Sequence, residues 1–358
     1  MVGKNSQVLS IGIVVFLLIF SCKKKEASPP LPPPEKGKNS VFVVCEGSYG
    51  NGNSTLGMYN VETDSFYEDV FSAVNGQQLG DVFQSMTLIG NHYFLCINNS
   101  DKIIVINKEN YEFVTGISIP KPRHILPISS SKAYVSSLFG NEVHILDLNS
   151  LKRTGSITLP AENPEGMLLW NDRVIVCAWD TAADKIFYLN TATDAIEKEI
   201  TVSGRAPHSC VMDRENKLWV LSGNVYKDKP SFLTRLDPAT GAILKSFSFP
   251  ATSDVIKPVL NAAKDSLYFI AVNYDGGAAN NGIYRMNIAA TELPQQTFLP
   301  AQAFQYFWAL DIHPNTGNLF IGDPKGFVQK GEVLIYEPDG TLLKSFKTGV
   351  GPGHFYFD

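Results

Sequence analysis

Six charged or ionisable residues stand near the starts of short apolar segments in this sequence. They are His124, His208 and His354, with Arg123 and Arg205 close to the first two, and Glu165 at the matching place of another segment. If these segments are strands around one axis, the side chains converge and could donate hydrogen bonds to carboxamide or carboxylate groups of a ligand. Neutral imidazoles could instead coordinate a metal. A third interpretation is that each histidine only satisfies nearby backbone carbonyl groups.

Aromatic residues occur in the long loops between the apolar segments. The candidates for ligand contact are Trp179, Tyr226, Tyr274 and Trp308, with Tyr306 beside the last. Aromatic rings supply large, stiff contact areas with polar edges, which small-molecule sites require. One such ring alone is ordinary packing, but several lie in loops where there is little core to fill. We therefore predict that they form a binding surface together with the charged residues.

Motifs of catalysis are absent from the sequence. It contains no G-x-S-x-G elbow, no H-E-x-x-H zinc motif and no calcium-loop pattern. The cysteine spacings match neither a zinc site nor a redox pair, and no motif indicates a bound cofactor. We therefore predict a protein that is not an enzyme, with no resident metal or cofactor.

Strand-like segments recur through the chain with a regular period. Tyr93–Ile97, Ala133–Ser137 and Val174–Ala178 are typical, and each is followed by a partner segment and usually by a third. Seven units of about 45 residues are typical of β-propellers, whose blades are four-stranded sheets around a channel. The first unit, with Phe66–Phe71 as its third strand, lacks one strand, and the last segment of the chain has no successor. We predict an all-β, seven-bladed β-propeller of four-stranded antiparallel blades, closed by the C-terminal strand joining the first blade.

Loop length differs between the two faces of this predicted propeller. Loops after the first and third strands of each blade are short turns. Loops after the second and fourth strands are long and emerge on the opposite face, together with the starts of the innermost strands. Long irregular loops on one face of a regular scaffold usually carry binding. We expect the ligand site on that face.

The N-terminal residues predict a membrane anchor. Residues 1–21 resemble a lipoprotein signal peptide, with Lys4 before an apolar stretch that is too short for a comfortable span. The sequence ending at Cys22 resembles a lipobox, so Cys22 is expected to carry the acyl chains that hold the protein at a membrane. Residues 22–40 include five prolines between positions 29 and 34 and predict an extended tether, and residues 41–358 form the propeller.

Charge and cysteine usage restrict the partners and the compartment. The formal net charge is −5, and the tether is basic, so the propeller itself is acidic and nucleic acid is not an expected partner. Cys45, Cys96, Cys177 and Cys210 fall on apolar strands. We interpret all four as small buried hydrophobic residues rather than disulfide partners.

The seven-fold pattern resembles YncE-like and YVTN-type propellers over residues 41–358. More closely, the motif Cys45–Gly50 with Asn53, the pair Asn75-Gly76, the stretch Leu79–Met86 and the element Pro122-Arg123-His124 resemble one group of lipoprotein propellers. That group is found beside TonB-dependent outer-membrane transporters and includes the cobalamin-capturing surface lipoprotein BtuG. Most members of the group have Asn where this chain has Cys45.

The resemblance implies an outer-membrane lipoprotein, displayed at the cell surface or facing the periplasm. Its function would be to capture a bulky nutrient, cobalamin or another corrinoid or metal chelate, for a TonB-dependent transporter. A neutral imidazole could then meet the cobalt of the corrinoid. Two other classes stay open: a propeller lyase or lactonase, whose site also lies near the channel mouth, and a protein-interaction scaffold, which needs no polar ring.

Overall fold

The computed structural model describes Met1, Gly3, Gly37 and residues 40–273, 281–303 and 305–358. Cys22, nearly all of the predicted signal peptide and tether, and Tyr274 lie outside the described residues. Among the described residues, no helix has the length and apolar character needed to cross a bilayer.

Seven four-stranded antiparallel sheets build the described fold and confirm the predicted propeller. The first blade contains β1 (Val41–Cys45), β2 (Thr55–Asn60) and β3 (Ser65–Tyr67). The second contains β4 (Phe83–Ile89), β5 (His92–Ile97), β6 (Lys102–Asn107) and β7 (Phe113–Ser118). The third contains β8 (Pro122–Pro127), β9 (Lys132–Ser137), β10 (Glu142–Asp147) and β11 (Lys152–Thr158).

The remaining blades follow in chain order. The fourth contains β12 (Pro164–Trp170), β13 (Arg173–Ala178), β14 (Lys185–Asn190) and β15 (Ala195–Thr201). The fifth contains β16 (Pro207–Met212), β17 (Leu218–Asn224), β18 (Lys229–Leu236) and β19 (Ile243–Ser248). The sixth contains β20 (Ser253–Leu260), β21 (Ser266–Asn273), β22 (Gly282–Asn287) and β23 (Leu299–Pro300). The seventh contains β24 (Ala309–Ile312), β25 (Leu319–Asp323), β26 (Lys330–Tyr336) and β27 (Leu342–Val350).

The ring closes through the last strand of the chain, as predicted. Strand β28 (Pro352–Phe357) joins the first blade beside β1, so that Val41 pairs with Phe357 and Val43 with Phe355. The innermost strands β4, β8, β12, β16, β20, β24 and β28 then pack one against the next around a common axis. Closure pairs the inner edge of β1 and gives the first blade four strands like the others.

Apolar clusters between neighbouring blades hold the ring together. One contains Phe42 of β1 with Phe83 of β4, and equivalent clusters fill each of the other blade contacts. The second strand of a blade is covered on both faces, which explains why β1 is completely buried. Outer strands alternate or are mostly exposed, as in β7. The hydrophobic runs in the sequence therefore mark the second strands most clearly.

One local prediction was wrong. The stretch Phe66–Phe71 is not a strand, because β3 ends at Tyr67 and a short helix α1 (Val70–Asn75) follows. Asp69 caps this helix, its Oδ1 accepting a hydrogen bond from the backbone N–H of Ser72 at 3.1 Å. Gly76 ends it in the left-handed conformation, with a φ of 64°. The helix buries Val70 and Phe71 against the first two blades.

Candidate functional site

β-Bulges turn side chains toward the channel in six innermost strands, at the start of five of them and further along β20. The pairing with the second strand of the blade shifts at that point in β4, β8, β12, β16, β20 and β28. The displaced residues are Gln84, Arg123 with His124, Glu165 with Gly166, His208, Lys257 with Pro258, and Gly353. A bulge re-aims side chains and is common beside functional sites. The repeated bulge is what places these residues in a ring.

A left-handed residue precedes the bulge in five of these strands. Val82, Lys121, Asn163, Ala206 and Gly351 have φ between 41° and 65°. In four cases a proline follows and then the first residue of the bulge, as in Ala206-Pro207-His208. A β-branched residue such as Val82 rarely adopts this conformation, so its backbone is strained. In three blades the left-handed residue, the proline and the bulge together present a polar side chain, namely Arg123, Glu165 and His208.

The bulged residues open into a cavity of about 500 Å³ at the channel mouth. Its wall is completed by loops that follow the second strands of the first, fourth, fifth and seventh blades, so the cavity lies on the face predicted from loop length. The lining side chains are Glu46, Val82, Gln84, Arg123, His124, Glu165, Trp179, His208, Ser209, Asn224, Tyr226, Asp254, Ile256, Lys257, Tyr306, Trp308 and Phe327.

An ion pair between adjacent blades forms one side of the cavity. Arg123 donates from Nε to Glu165 Oε2 at 2.7 Å and from Nη2 to Oε1 at 2.6 Å. Its third nitrogen, Nη1, donates to Gln84 Oε1. The side chains of Arg123 and Glu165 are only 16% and 10% exposed, so the bidentate geometry is fixed. The two side chains therefore form a rigid part of the cavity wall, in which their opposite charges largely cancel.

Glu165 is held ionised by this arrangement. Burial alone raises the pKa of its carboxyl, but the Arg123 guanidinium and the hydrogen bonds from His124 and Arg123 outweigh burial. The pKa of Glu165 therefore lies far below its ordinary value. His124 contributes through its Nε2, which is 3.5 Å from Glu165 Oε1.

The two histidines of the cavity are neutral near physiological pH. Burial lowers the pKa of His208 to about 4, against the attraction of Glu165. Burial also lowers the pKa of His124, although Glu165 opposes that shift. His208 lies 2.9 Å from Ser209 Oγ through its Nδ1, and its ring meets the Trp179 ring edge-on at 6.2 Å. The neutral imidazoles can each offer one donor and one acceptor to a ligand.

A second carboxyl, Glu46, lies on the opposite side of the cavity and was not foreseen. Its Oε1 accepts a hydrogen bond from Trp308 Nε1 at 2.7 Å, and Trp308 packs edge-on against Phe327. Burial raises the pKa of Glu46, while Lys257 and the Trp308 hydrogen bond lower it less strongly. The sequence did indicate Glu46 as a site residue, because Glu46 belongs to the Cys45–Gly50 motif and follows β1 directly.

Close packing between the fourth and fifth blades sets the distance between Glu165 and His208. A Cβ on Gly166 would lie 2.7 Å from the backbone oxygen of His208 and 3.1 Å from Ser209 Cα. Only glycine lets β12 approach β16 this closely. Lys257, also missed from sequence, enters from β20 with a φ of 54° and donates from Nζ to Gly353 O at 2.9 Å.

The structure brings together most of the predicted ligand residues. Those that line the cavity are Arg123, His124, Glu165, Trp179, His208, Tyr226 and Trp308. Arg205 does not line it: its side chain is half exposed and lies 3.7 Å from Asp184. His354 does not line it either, because the bulge falls on Gly353 and the imidazole contacts Asp311 at 3.2 Å. Tyr274 lies outside the described residues.

The described residues contain no group of three His, Cys, Asp or Glu side chains that could hold a metal ion. A metal chelate that brings its own ligands would need only one protein imidazole. A smaller polar pocket of about 350 Å³ adjoins the cavity at Tyr306 and includes Gln302, Gln305, Asp323 and Lys325.

Solved structures similar to this chain are propellers of distant sequence. A quinonprotein alcohol dehydrogenase-like protein from Bacteroides thetaiotaomicron is 14% identical with a TM-score of 0.67, over 90% of this chain and 78% of that one. Dihydro-heme d1 dehydrogenase NirN in complex with DHE is 10% identical with a TM-score of 0.61, over 91% and 77%. Hydrazine synthase of Kuenenia stuttgartiensis is 13% identical with a TM-score of 0.59, over 76% and 91%. At these identities the likeness concerns the fold alone.

The sequence comparison is more specific about the family. No curated protein matches the chain. A family model described as a domain of unknown function, DUF5074, matches residues 39–357, which is the whole propeller. The chain, with its seven blades and its cavity at the channel mouth, therefore belongs to the DUF5074 family.

Proposed function

We propose that the chain is a lipid-anchored, non-catalytic binding protein that captures a bulky small molecule and passes it to a TonB-dependent outer-membrane transporter. Cobalamin or another corrinoid or metal chelate is the first candidate ligand, on the resemblance of the Cys45–Gly50 and Leu79–Met86 motifs. The observation that carries the proposal is the cavity itself, in which Arg123 and Glu165 are paired with each other while aromatic rings and neutral imidazoles face the space.

The size and lining of the cavity suit this role. Its volume of about 500 Å³ lies within the range of small-molecule sites. Trp179 is fixed by a hydrogen bond from its Nε1 to Gly223 O at 2.9 Å, and Trp308 is fixed by Glu46. Anchored rings lose little conformational entropy when a ligand covers them, so they are favourable contact surfaces. A ligand larger than the cavity would extend past Tyr226, which is 72% exposed at the rim.

The polar side of the cavity is suited to orientation rather than to bond breaking. Arg123 and Glu165 hold one another in a bidentate pair, and neither is free to exchange a proton near neutral pH. The remaining hydrogen-bonding capacity of His124, His208 and Gln84 matches neutral polar groups such as carboxamides. A corrinoid carries many carboxamides at its edge, which makes it the natural first compound to test.

One observation favours a second candidate, a propeller lyase or lactonase. The same cavity holds two carboxyls whose pKa values are shifted in opposite directions, Glu46 upward and Glu165 downward. Such a separation is found where one carboxyl acts as an acid while the other stays ionised. Turnover of a lactone or a uronate oligomer by the purified protein, lost in Glu46→Gln, would favour this candidate over capture.

Calorimetry tests the binding proposal directly. The full chain, purified in detergent, is titrated with cyanocobalamin, haem and soluble glycans. Trp179→Ala and Trp308→Ala should each weaken binding by about 2 kcal/mol, which is roughly thirty-fold in Kd. Asp339→Ala, in the turn between β26 and β27 on the opposite face, is the matched control and should leave Kd unchanged. Equal losses in the control and the cavity variants, or binding of a partner protein but of no compound, would contradict capture at this site.

A further inference from the structure

Two cysteines lie beneath the wall of the cavity, between the fourth and fifth blades. Cys177 is completely buried in β13, and Cys210 is half-buried in β16; both belong to the apolar cluster that joins these blades. The two thiols interact with one another within this cluster. Two thiols in contact across a blade boundary are more than small hydrophobic residues, because they can be joined covalently.

The position of this pair links it to the ligand site. Cys177 lies opposite the Glu165–Gly166 bulge of β12, and a Cβ on Gly166 would lie 3.1 Å from Cα of Ser209, the residue before Cys210. The rings of Trp179 and His208 are themselves in contact at 6.2 Å. The thiol pair is therefore the next layer of the same blade contact that forms this wall of the cavity.

The other two described cysteines have different partners. Cys45 Sγ lies 3.3 Å from Thr348 Oγ1, and the Cys96 thiol interacts with the Ser85 hydroxyl. Each is on the second strand of a different blade, β1 or β5, with a hydroxyl rather than a thiol beside it. The contact between two thiols thus distinguishes Cys177 and Cys210 among the described cysteines.

We propose that Cys177 and Cys210 form a disulfide between the fourth and fifth blades when the protein meets a disulfide oxidant, and that this bond fixes Trp179 against His208. With oxidised glutathione as the oxidant, one S–S bond forms between the two Sγ atoms and the S–S bond of glutathione breaks. The two electrons and two protons of the thiols end on two molecules of reduced glutathione. The proposal does not depend on the identity of the cavity ligand.

The reaction has a predictable order and rate. Contact with Cys210 and burial raise the pKa of the Cys177 thiol well above its ordinary value, so Cys177 is a poor first nucleophile. Cys210, at the less buried position, is the thiol that first reacts with glutathione. Cys177 then displaces glutathione from Cys210. Oxidation of the folded protein should therefore be slow and should be faster during refolding.

The experiment uses the full chain, purified reduced and then incubated or refolded with oxidised glutathione. Free thiols are alkylated after unfolding, and the digest is mapped by mass spectrometry without reduction. We expect one cross-linked pair of peptides, containing Cys177 and Cys210, and a Tm higher by about 5 °C that dithiothreitol reverses. Cys177→Ser and Cys210→Ala should abolish both effects. Cys96→Ala is the matched control and should retain both.

Three results would overturn the proposal. The first is a stable glutathione adduct on Cys210 that Cys177 does not displace. The second is a cross-link that involves Cys45 or Cys96 instead. The third is the alkylation of all four propeller thiols after oxidative refolding. If Cys177→Ser fails to fold, the Cys210→Ala variant at the less buried position decides the matter. Calorimetry on oxidised and reduced protein is a separate measurement, so failure of the capture proposal would not be confused with failure of this one.

Discussion

His144 is expected to make the stability of the propeller depend on pH. It lies in β10 and is 1% exposed, and neither ring nitrogen finds a hydrogen-bond partner among the described residues. The nearest charges are Glu142, whose Oε2 is 3.9 Å from His144 Nδ1, and Arg153. Burial, helped by Arg153, lowers the pKa of His144 to about 4. The folded protein therefore keeps this imidazole neutral where an unfolded chain would protonate it.

The sign and size of the effect follow from that difference. A histidine has a pKa of about 6.5 in an unfolded chain, so between roughly pH 6.5 and pH 4 the unfolded state binds the extra proton. The contribution to stability is complete above this window and is lost as the pH falls through it. With these two pKa values for His144, the unfolding free energy falls by about 2 kcal/mol between pH 7 and pH 5. Allowing for solvent screening of the neighbouring charges, we expect about 1 to 2 kcal/mol.

Two substitutions distinguish the effect of His144 titration on stability from the effect of its unsatisfied ring nitrogens. His144→Leu removes both the titration and the unsatisfied nitrogens, so it should raise the unfolding free energy at neutral pH by about 1 kcal/mol or more and flatten the pH dependence. His144→Gln removes the titration but keeps polar atoms, and should flatten the pH dependence without stabilising. Urea unfolding followed by circular dichroism at several pH values measures both. Identical pH slopes in wild type and His144→Leu, or lower stability of His144→Leu than of His144→Gln at neutral pH, would refute the reasoning.

Three further predictions concern the ion pair, the ring and the anchor. Arg123→Met should lower the unfolding free energy by about 3 kcal/mol or more, because it leaves Glu165 buried without its partner. The double variant Arg123→Met/Glu165→Leu should lower it less, and urea unfolding of both variants measures the difference. Deleting Pro352–Asp358 should unfold or oligomerise the propeller, and a monomer of unchanged Tm would contradict the closure. Cys22→Ala should abolish labelling by a palmitate analogue and release the protein from membranes; unchanged labelling would disprove the lipoprotein prediction.

The fold was predictable because its signals are local and repeated. Each second strand is buried on both faces and therefore appears as a continuous hydrophobic run, as in Val41–Cys45. The segment after Tyr67 was misread because Val70 and Phe71 continue the apolar pattern. Asp69 and Gly76, seven residues apart, are the cap residues of a short helix, and they carried the correct signal.

The site was predictable only in part, because its geometry depends on bulges. The pattern that placed His124 and His208 in the cavity also suggested His354, but the bulge in β28 falls one residue earlier, on Gly353. Lys257 was missed since the bulge of β20 lies at the fifth residue of the strand rather than at its start. A bulge shifts the strand register by one residue and so reverses the direction of a side chain. The hydrophobic pattern of a sequence does not show at which residue such a shift occurs. The recurring proline before Arg123, Glu165 and His208 was the better guide.

The pairing of β1 with β28 also determines which way the cavity points. Val41 and Phe357 are partners at the ends of these strands that lie away from the channel mouth, whereas Glu46 and Gly353 lie at the ends that reach it. The polypeptide before residue 40 is therefore attached to the face opposite the cavity. A propeller tethered to a bilayer through that segment would turn its binding face outward, and both chain ends could carry a label or a surface attachment without obstructing the ligand.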